Sequence, residues 1–384
     1  MNTVYREGHI PVMTAGLIVT HACNLNCVYC YERNKSRRFM ELETAKSILQ
    51  PLLMEEAEPL QIMLMGGEPL LAFPMIRELV EWVVVNRSRW KRECFFFGST
   101  NGTMLDESMK RWFHQNRRIV TLALSYDGLS TAQDENRSLS SDRIDLDFFR
   151  DNWPEQRVQM TINENSVGRM ADGVIGLIEK GFMVNASVAY EEKEWSDESI
   201  CTYLDQLLLL MDYYLEADSA PLIYQFLHPI IDYAKALDKP TTQLQQCGAG
   251  CGFAMFDDDG RSYPCHMFSS LVFPENRLGE VQNMDLSSMS FQDPRCKGCP
   301  YSIACSTCAG CNYLYRGNVA LRDETHCKIQ QIEVMVCMRY HMTRMSRDPS
   351  RGNRALFDAI QRLRKTNYEK STPSKGLREA AGDI

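Results

Sequence analysis

Cys23-Asn24-Leu25-Asn26-Cys27-Val28-Tyr29-Cys30 places three thiols at Cys-x3-Cys-x2-Cys spacing. Thiolate sulfur is the soft ligand that iron-sulfur chemistry prefers, and three thiolates this close can hold three corners of a cubane while leaving the fourth iron open. Structural zinc takes four protein ligands, so a triad with no local fourth suits it poorly. A second array follows far downstream at Cys247, Cys251, Cys265, Cys296, Cys299, Cys305, Cys308, Cys311 and Cys327. Its core, Cys296-x2-Cys299-x5-Cys305-x2-Cys308, taken alone could be a two-zinc ribbon as readily as a cluster site. Ten of the fifteen cysteines fall in residues 247–337, a density found in disulfide scaffolds or metal domains. No signal peptide core is present in residues 1–10, which favours metal over disulfides.

The rest of the composition excludes several function classes. The chain has 384 residues, 44% of them apolar and 24% charged, an ordinary globular balance. A net charge of −8 argues against a general nucleic-acid binder, since a phosphate backbone is held mainly by clustered Lys and Arg. The strongly apolar run around residues 207–211 is far shorter than the roughly 20 residues a bilayer requires. A cytoplasmic protein with no membrane and no nucleic-acid partner is therefore expected.

The elements that must position the thiols alternate in type. Short β-rich runs at 15–20, 61–65, 94–100, 119–125, 157–162 and 184–189 are separated by segments such as 41–54 and 76–85, where apolar residues recur every three or four positions. This α/β alternation implies a parallel sheet with helices outside it, and six strands over about 175 residues suit a partial, TIM-like (β/α)6 barrel. Chemistry in such barrels sits at the C-terminal strand ends, where the motifs fall. A helical connector is expected over 196–246, with a buried helix near 204–214. Cys-rich structure follows over 247–330, and a C-terminal helix and basic tail occupy 331–384. An N-terminal segment of 15 residues precedes the barrel, assigned to 16–195.

On these motifs the chain resembles the radical S-adenosylmethionine (SAM) superfamily. The Cys23, Cys27, Cys30 loop matches that family's cluster loop, with Tyr29 as its aromatic residue near the SAM adenine. Gly66-Gly67-Glu68-Pro69 lies 36 residues beyond Cys30 at the end of a strand. The glycines permit close backbone approach to the ligand, and Glu68 can accept hydrogen bonds from the SAM ammonium. Ser125 and Arg137 match the family residues that contact the SAM ribose and carboxylate, and a guanidinium fork suits a carboxylate. Asp127, in an Asp-Gly pair, reads first as a turn residue. The resemblance implies that the bound group reduces SAM to methionine and a 5'-deoxyadenosyl radical, which removes hydrogen from an unactivated carbon.

The distal cysteines resemble the SPASM domain of peptide-modifying radical SAM enzymes, which carries two auxiliary clusters. Family order assigns Cys247, Cys251, Cys265 and Cys308 to the first, with Cys311 an alternative to Cys308, and Cys296, Cys299, Cys305 and Cys327 to the second. Three [4Fe-4S] clusters and SAM are thus the implied cofactors. Cys94, Cys201 and Cys337 are left over and read as small hydrophobes. Asp257-Asp258-Asp259-Gly260 reads as a hairpin mouth before a cluster cysteine rather than a cation site.

Sulfatase-maturating members, which oxidise Cys or Ser to formylglycine, carry an Asp after the auxiliary-cluster Cys as proton acceptor. This chain has His266 there, a candidate catalytic base. The resemblance is closer to maturases that join a Cys sulfur to carbon as a thioether in Cys-rich ribosomal precursor peptides, with formylglycine formation or another SPASM peptide modification such as carbon-carbon cross-linking as the alternatives. The implied partners are a Cys-containing precursor peptide and a reducing donor such as flavodoxin or ferredoxin. With only 15 residues before the first strand, a separate leader-binding protein, or another surface of this chain, is expected to recognise any leader. A non-catalytic iron-sulfur or zinc-binding module remains the reading from a different class, and would need neither Glu68 nor Arg137.

Overall fold

The strand that enters the motif loop, β1 (Thr14–Thr20), is buried without interruption from Ala15 to Thr20. A strand covered on both faces has that continuous apolar signature, and β1 sits at the centre of a sheet. The computed structural model describes residues 12–190, 194–231, 234, 248–250, 252–282, 284–289, 291–302, 305, 307–351 and 354–370. These divide into two compact units. The first comprises Met1–Tyr126, Gln133–Arg157 and Cys247–Met289, and the second Asp127–Ala132, Val158–Gln246 and Ser290–Ile384.

In the first unit, β1 pairs in parallel with β2 (Leu60–Gly66), β2 with β3 (Cys94–Thr100) and β3 with β4 (Val120–Leu124). Between them run α1 (Leu42–Leu53), α2 (Phe73–Val85) and α3 (Glu107–Asn116). Ala45, Leu49 and Leu52 of α1, and Ile76, Leu79, Val80 and Val83 of α2, form the three- and four-residue stripes that bury a helix against a sheet. The helix α4 (Ser130–Asn136) and the short α5 (Leu146–Asn152) follow β4.

The second unit holds β5 (Val158–Ile162), α6 (Met170–Glu179) and β6 (Val184–Val188), with the two strands parallel. The six expected strands all form. They are divided, however, between the β1–β4 sheet and a separate two-stranded β5–β6 sheet. The second unit continues through α7 (Asp197–Glu216) and α8 (Tyr224–Leu227).

The chain then returns to the first unit. A strand that hydrophobic periodicity did not reveal, β7 (Phe253–Phe256), adds in parallel to the free edge of β1, and β8 (Ser262–Tyr263) closes an antiparallel hairpin on it. Only four residues long and preceded by glycines, β7 has no period of its own to read. The first unit ends in α9 (Glu275–Gln282), and the second resumes with α10 (Ala309–Arg316), α11 (Glu324–Arg347) and α12 (Arg354–Lys370).

Within the second unit α7 packs on α11 through a buried polar knot: the Tyr203 hydroxyl donates to Glu333 Oε1 at 2.6 Å. Gln225 Nε2 donates to the Ala186 carbonyl at 2.8 Å. The apolar residues expected at 204–214 are buried at Leu204, Leu207, Leu210, Met211 and Tyr214. Of the leftover cysteines, Cys337 is fully buried among Ile230, Val334, Leu356, Ala359 and Leu363, as a small hydrophobe would be. Cys94 is half-buried, and Cys201 is exposed on α7, contrary to the expectation of burial. No described helix is long and apolar enough to cross a membrane.

The end of β2 is where the fold meets the motifs. Gly66 has φ +151°, and a Cβ built there would lie 2.2 Å from the Thr20 carbonyl oxygen. At Gly67 a Cβ would come within 2.4 Å of the Ala22 carbonyl oxygen and 2.8 Å of Cys23 Cβ. Gly67 N–H donates to the Thr20 carbonyl at 3.2 Å, and Glu68 N–H to the Ala22 carbonyl at 2.9 Å. The absent side chains thus let two backbones touch immediately before Cys23.

Two expectations follow. Gly67→Ala should lower the unfolding free energy by about 1–3 kcal/mol, as overpacking does. An unchanged denaturant midpoint would mean that the loop simply moves aside. The second concerns His341, whose Nε2 lies 2.9 Å from the Phe226 carbonyl oxygen. Burial lowers its pKa from the ordinary value near 6.5. The imidazole is folded in its neutral form, so its contribution is complete above pH ~6.5 and lost as pH falls through the lower folded value. Unfolding midpoints measured from pH 7 to 5 should fall more steeply for the parent protein than for His341→Gln.

Candidate active site

The loop after β1 is held at both ends and along its length. Thr20 Oγ1 donates to the Arg38 carbonyl at 2.9 Å, and Ala22 N–H donates to Thr20 Oγ1 at 3.0 Å. Asn26 N–H reaches Ser138 Oγ at 2.9 Å, and Val28 N–H reaches the Asn136 carbonyl at 3.0 Å. Leu25 is buried as the loop's anchor. Cys23, Cys27 and Cys30 are free thiols, each half-buried.

Burial pushes Cys23 up to about 11, opposed by the Leu25 N–H and by Lys35. Lys35 Nζ donates to the Leu25 carbonyl at 3.3 Å. Burial disfavours its charge, yet the thiols of Cys30 and Cys23 carry its pKa above the ordinary lysine value. A thiol held this high stays protonated in water unless a metal displaces its proton, and a nearby ammonium offsets the negative charge of ligated sulfur. These three soft donors with their cation therefore fit an anionic iron-sulfur group. Glu32, beside them, is raised to about 7 by burial.

Glu68 is buried at the end of β2 with both carboxylate oxygens engaged. Oε1 accepts from Leu70 N–H at 3.0 Å and from Thr100 Oγ1 at 2.7 Å, while Oε2 accepts from Asn101 N–H at 2.8 Å. Burial raises its pKa against the pull of these donors. Glu68 thus joins the ends of β2 and β3 through Thr100 and Asn101. Asn101 Nδ2 then donates to Asn24 Oδ1 at 2.9 Å, extending the chain of bonds into the cysteine loop.

Ser125 follows β4, its N–H donating to the Thr100 carbonyl at 2.9 Å. Arg137, buried just after α4, stacks its guanidinium over the Tyr29 ring, 5.3 Å from the centroid. The structure therefore brings Cys23, Cys27, Cys30, Tyr29, Gly66, Gly67, Glu68, Ser125 and Arg137 to the C-terminal ends of β1 to β4. Asp127 is placed otherwise: its carboxylate accepts the Thr161 N–H at 3.1 Å, a structural bond in the second unit.

A further contact with the loop comes from the β7–β8 hairpin. His21 Nε2 lies 2.7 Å from Asp257 Oδ1, both buried, and Ser270 Oγ also bonds Asp257. These partners hold the Asp257 carboxyl well below the usual range despite burial. Arg38 forms a two-point contact with Asp258. His21, Asp257 and Asp258 place ligand atoms within 4.8 Å of one another, but the imidazole is committed to Asp257 and Arg38 supplies the positive charge. The turn itself is closed by Asp257 N–H to the Arg261 carbonyl at 2.8 Å and Gly260 N–H to the Asp257 carbonyl at 2.9 Å.

Beyond the hairpin, Cys265 is half-buried, and the His266 ring tilts against Tyr31 with centroids 5.5 Å apart. Burial lowers the His266 pKa to about 4, leaving a neutral imidazole at pH 7.

In the second unit, Cys296, Cys299, Cys305 and Cys327 converge: Cys305 is pushed up to about 12 first by burial, with the other three thiols adding to the rise and Arg322 opposing it. Arg322 Nη1 donates to Cys305 Sγ at 2.8 Å. Gln331 Nε2 donates to Cys327 Sγ at 3.5 Å. Four free thiols, two of them with donors aimed at their sulfurs, fit a thiolate-ligated metal group.

Cys308 caps α10, its sulfur accepting the Cys311 N–H at 3.5 Å, and contact with Cys311 brings its pKa down to about 7. Cys311 is buried within the helix. Cys247 and Cys251 lie outside the described residues.

Comparison with known proteins gives this site a lineage. Residues 17–144 match the family model of the Radical SAM superfamily. An uncharacterised protein of Methanocaldococcus jannaschii is 34% identical over 113 residues, a stretch that is 29% of this chain and 38% of that protein. A cysteine-type anaerobic sulfatase-maturating enzyme of Clostridium perfringens is 25% identical over 293 residues, 70% of this chain and 76% of that enzyme.

Among solved structures, anSMEcpe with bound AdoMet shares the fold at a TM-score of 0.66 and 18% identity, covering 91% of this chain and 98% of that one. Streptococcus suis SuiB bound to precursor peptide SuiA gives a TM-score of 0.56 at 16% identity, covering 82% of this chain and 75% of that one. With the cysteine triad, the Gly-Gly-Glu strand end and the parallel sheet in one unit, residues 17–144 form a radical SAM domain, and the chain resembles the SPASM-type maturases.

Proposed function

We propose that this protein is a peptide maturase that joins a Cys sulfur to carbon as a thioether in a ribosomally made precursor. The observation that carries the choice of reaction is His266, which follows Cys265 where formylglycine-forming enzymes are expected to have Asp. A bound [4Fe-4S] cluster with SAM would supply a 5'-deoxyadenosyl radical able to take hydrogen from an unactivated carbon, and closing the carbon–sulfur bond would release the thiol proton and one electron, for which an auxiliary cluster would be the acceptor.

The chain's own residues bind and orient. Cys23, Cys27 and Cys30 hold the cluster, with Lys35 balancing its charge. Tyr29 and Arg137 clamp SAM through the adenine and the carboxylate, and Ser125 bonds the ribose. Gly66 and Gly67 keep that wall free of side chains, while the second lone pair of Glu68 Oε2 receives the ammonium. Two auxiliary clusters are assigned to the Cys-rich region. The helix-capping Cys308, with its lowered pKa, is better prepared as a ligand than the buried Cys311. The neutral His266 imidazole has a lone pair for the substrate thiol proton, but burial makes it a weaker base than a free histidine, so the thiol would have to be acidified by iron before transfer. The electron donor is assigned to the flavodoxin or ferredoxin class.

A second reading is formylglycine formation, favoured by the alignment with the Clostridium perfringens sulfatase-maturating enzyme. Anaerobic reaction with a candidate Cys-containing peptide separates the two. Each thioether should lower peptide mass by about 2 Da, consume one alkylatable Cys and survive disulfide reductants. An aldehyde in the product, or recovery of every thiol after reduction, would reject the thioether.

Two variants probe the site. Replacing Cys23, Cys27 and Cys30 together with Ala should remove about four of about twelve irons and abolish 5'-deoxyadenosine formation. Continued formation would sink the assignment of the triad. His266→Asn should keep the iron and the SAM cleavage but slow cross-linking by about 10²-fold or more. Near-normal cross-linking would reduce His266 to a packing partner of Tyr31.

A further inference from the structure

Arg322 stands immediately before α11 and is 5% exposed. Burying a guanidinium is costly unless hydrogen bonds and opposite charge compensate it. Here its Nη1 donates to Cys305 Sγ at 2.8 Å, a short distance for a contact to sulfur.

The backbone around it is fixed from both sides. Arg322 N–H donates to Asp293 Oδ2 at 2.9 Å, and the Arg322 carbonyl accepts from Arg295 Nη2 at 2.6 Å. Arg295 is itself paired with the buried Asp293 at 2.7 Å. The next residue, Asp323, caps α11 by accepting the His326 N–H at 2.9 Å, and Cys327 lies in the first turn of that helix. One bracket of charged groups therefore sets both the helix that presents Cys327 and the cation that faces Cys305. Gln331, one turn on, directs its amide to Cys327 Sγ.

We propose that Arg322, supported by Gln331, is a positioning residue that raises the reduction potential of the iron-sulfur group held by Cys296, Cys299, Cys305 and Cys327. The inference rests on the assignment of a cluster to these four thiols. A hydrogen bond and a full positive charge at a ligand sulfur stabilise the reduced state, which carries one more negative charge. The arrangement distinguishes this cluster from one bounded only by neutral groups and makes it the better electron acceptor. Arg suits the task because its planar fork can hold sulfur while the rest of the residue stays locked in the bracket.

The test uses the full chain carrying Cys23, Cys27 and Cys30 as Ala, so that only auxiliary iron is observed. Iron and zinc are counted, and potentials are measured by redox titration followed by electron paramagnetic resonance. In Arg322→Gln one midpoint should move to more negative potential by at least a tenfold change in the reduced-to-oxidised ratio, about 59 mV for one electron, while the other stays. Arg322→Lys, which keeps the charge but not the fork, should fall between Gln and the parent. In the parent, an exchangeable proton coupled to the reduced cluster should be replaced by deuterium in heavy water, and that signal should weaken in both variants.

Unmoved midpoints with iron retained would overturn the role of Arg322 and leave the cluster assignment standing. If Arg322→Gln loses iron, a parental midpoint and proton signal in Arg322→Lys would overturn it equally. Zinc in place of auxiliary iron in the parent would overturn the cluster assignment and this inference together.

Discussion

The contact on which the site depends is the backbone approach between the end of β2 and the loop after β1. Gly66 and Gly67 lie where any Cβ would collide with the Thr20 or Ala22 carbonyl, and two N–H groups there bond to those carbonyls. A loop that must hold three thiols in one geometry cannot wander, and main-chain bonds to a central sheet restrain it more tightly than side chains could. Side-chain volume at either glycine would push the Cys23 turn away from the strand ends that carry Glu68 and Ser125.

Buried carboxylates repeat the same logic at longer range. Glu68 ties β2 to Thr100 and Asn101, Asp257 ties the β7–β8 turn to His21, and Asp293 ties residue 295 to residue 322. Each accepts more than one bond, as a buried charge must if it is to be stable. Breaking one partner would leave the other uncompensated, so these sites specify geometry beyond what their net stabilisation would suggest. Three cysteine-bearing segments, the loop at 23–30, the turn before Cys265 and the start of α11, begin near such a carboxylate. Cations stand near the thiols in turn, Lys35 in the first unit and Arg322 in the second.

Much of this was legible in the residues. The strands at 94–100 and 184–189, and the helices at 41–54 and 76–85, lie within a few positions of the observed elements, because buried parallel strands and striped helices have distinct periods. The cysteine spacing and the Gly-Gly-Glu-Pro strand end were equally local. Cys337 behaved as a core residue, but Cys201 did not, since a single thiol has no pattern from which to infer burial.

By itself, then, the amino-acid order determined the alternating α/β architecture, the cysteine triad and the Cys-rich second array, all of which are written in short-range period and spacing. Tertiary structure alone decided that β7 joins β1, that His21 meets Asp257 across 236 positions, and that Arg322 faces Cys305. It also decided that the glycines first serve a backbone contact and that Glu68 first serves to join two strand ends. These are pairings between distant segments, chosen by which buried donors find acceptors once the sheet has formed, and no local period records that choice.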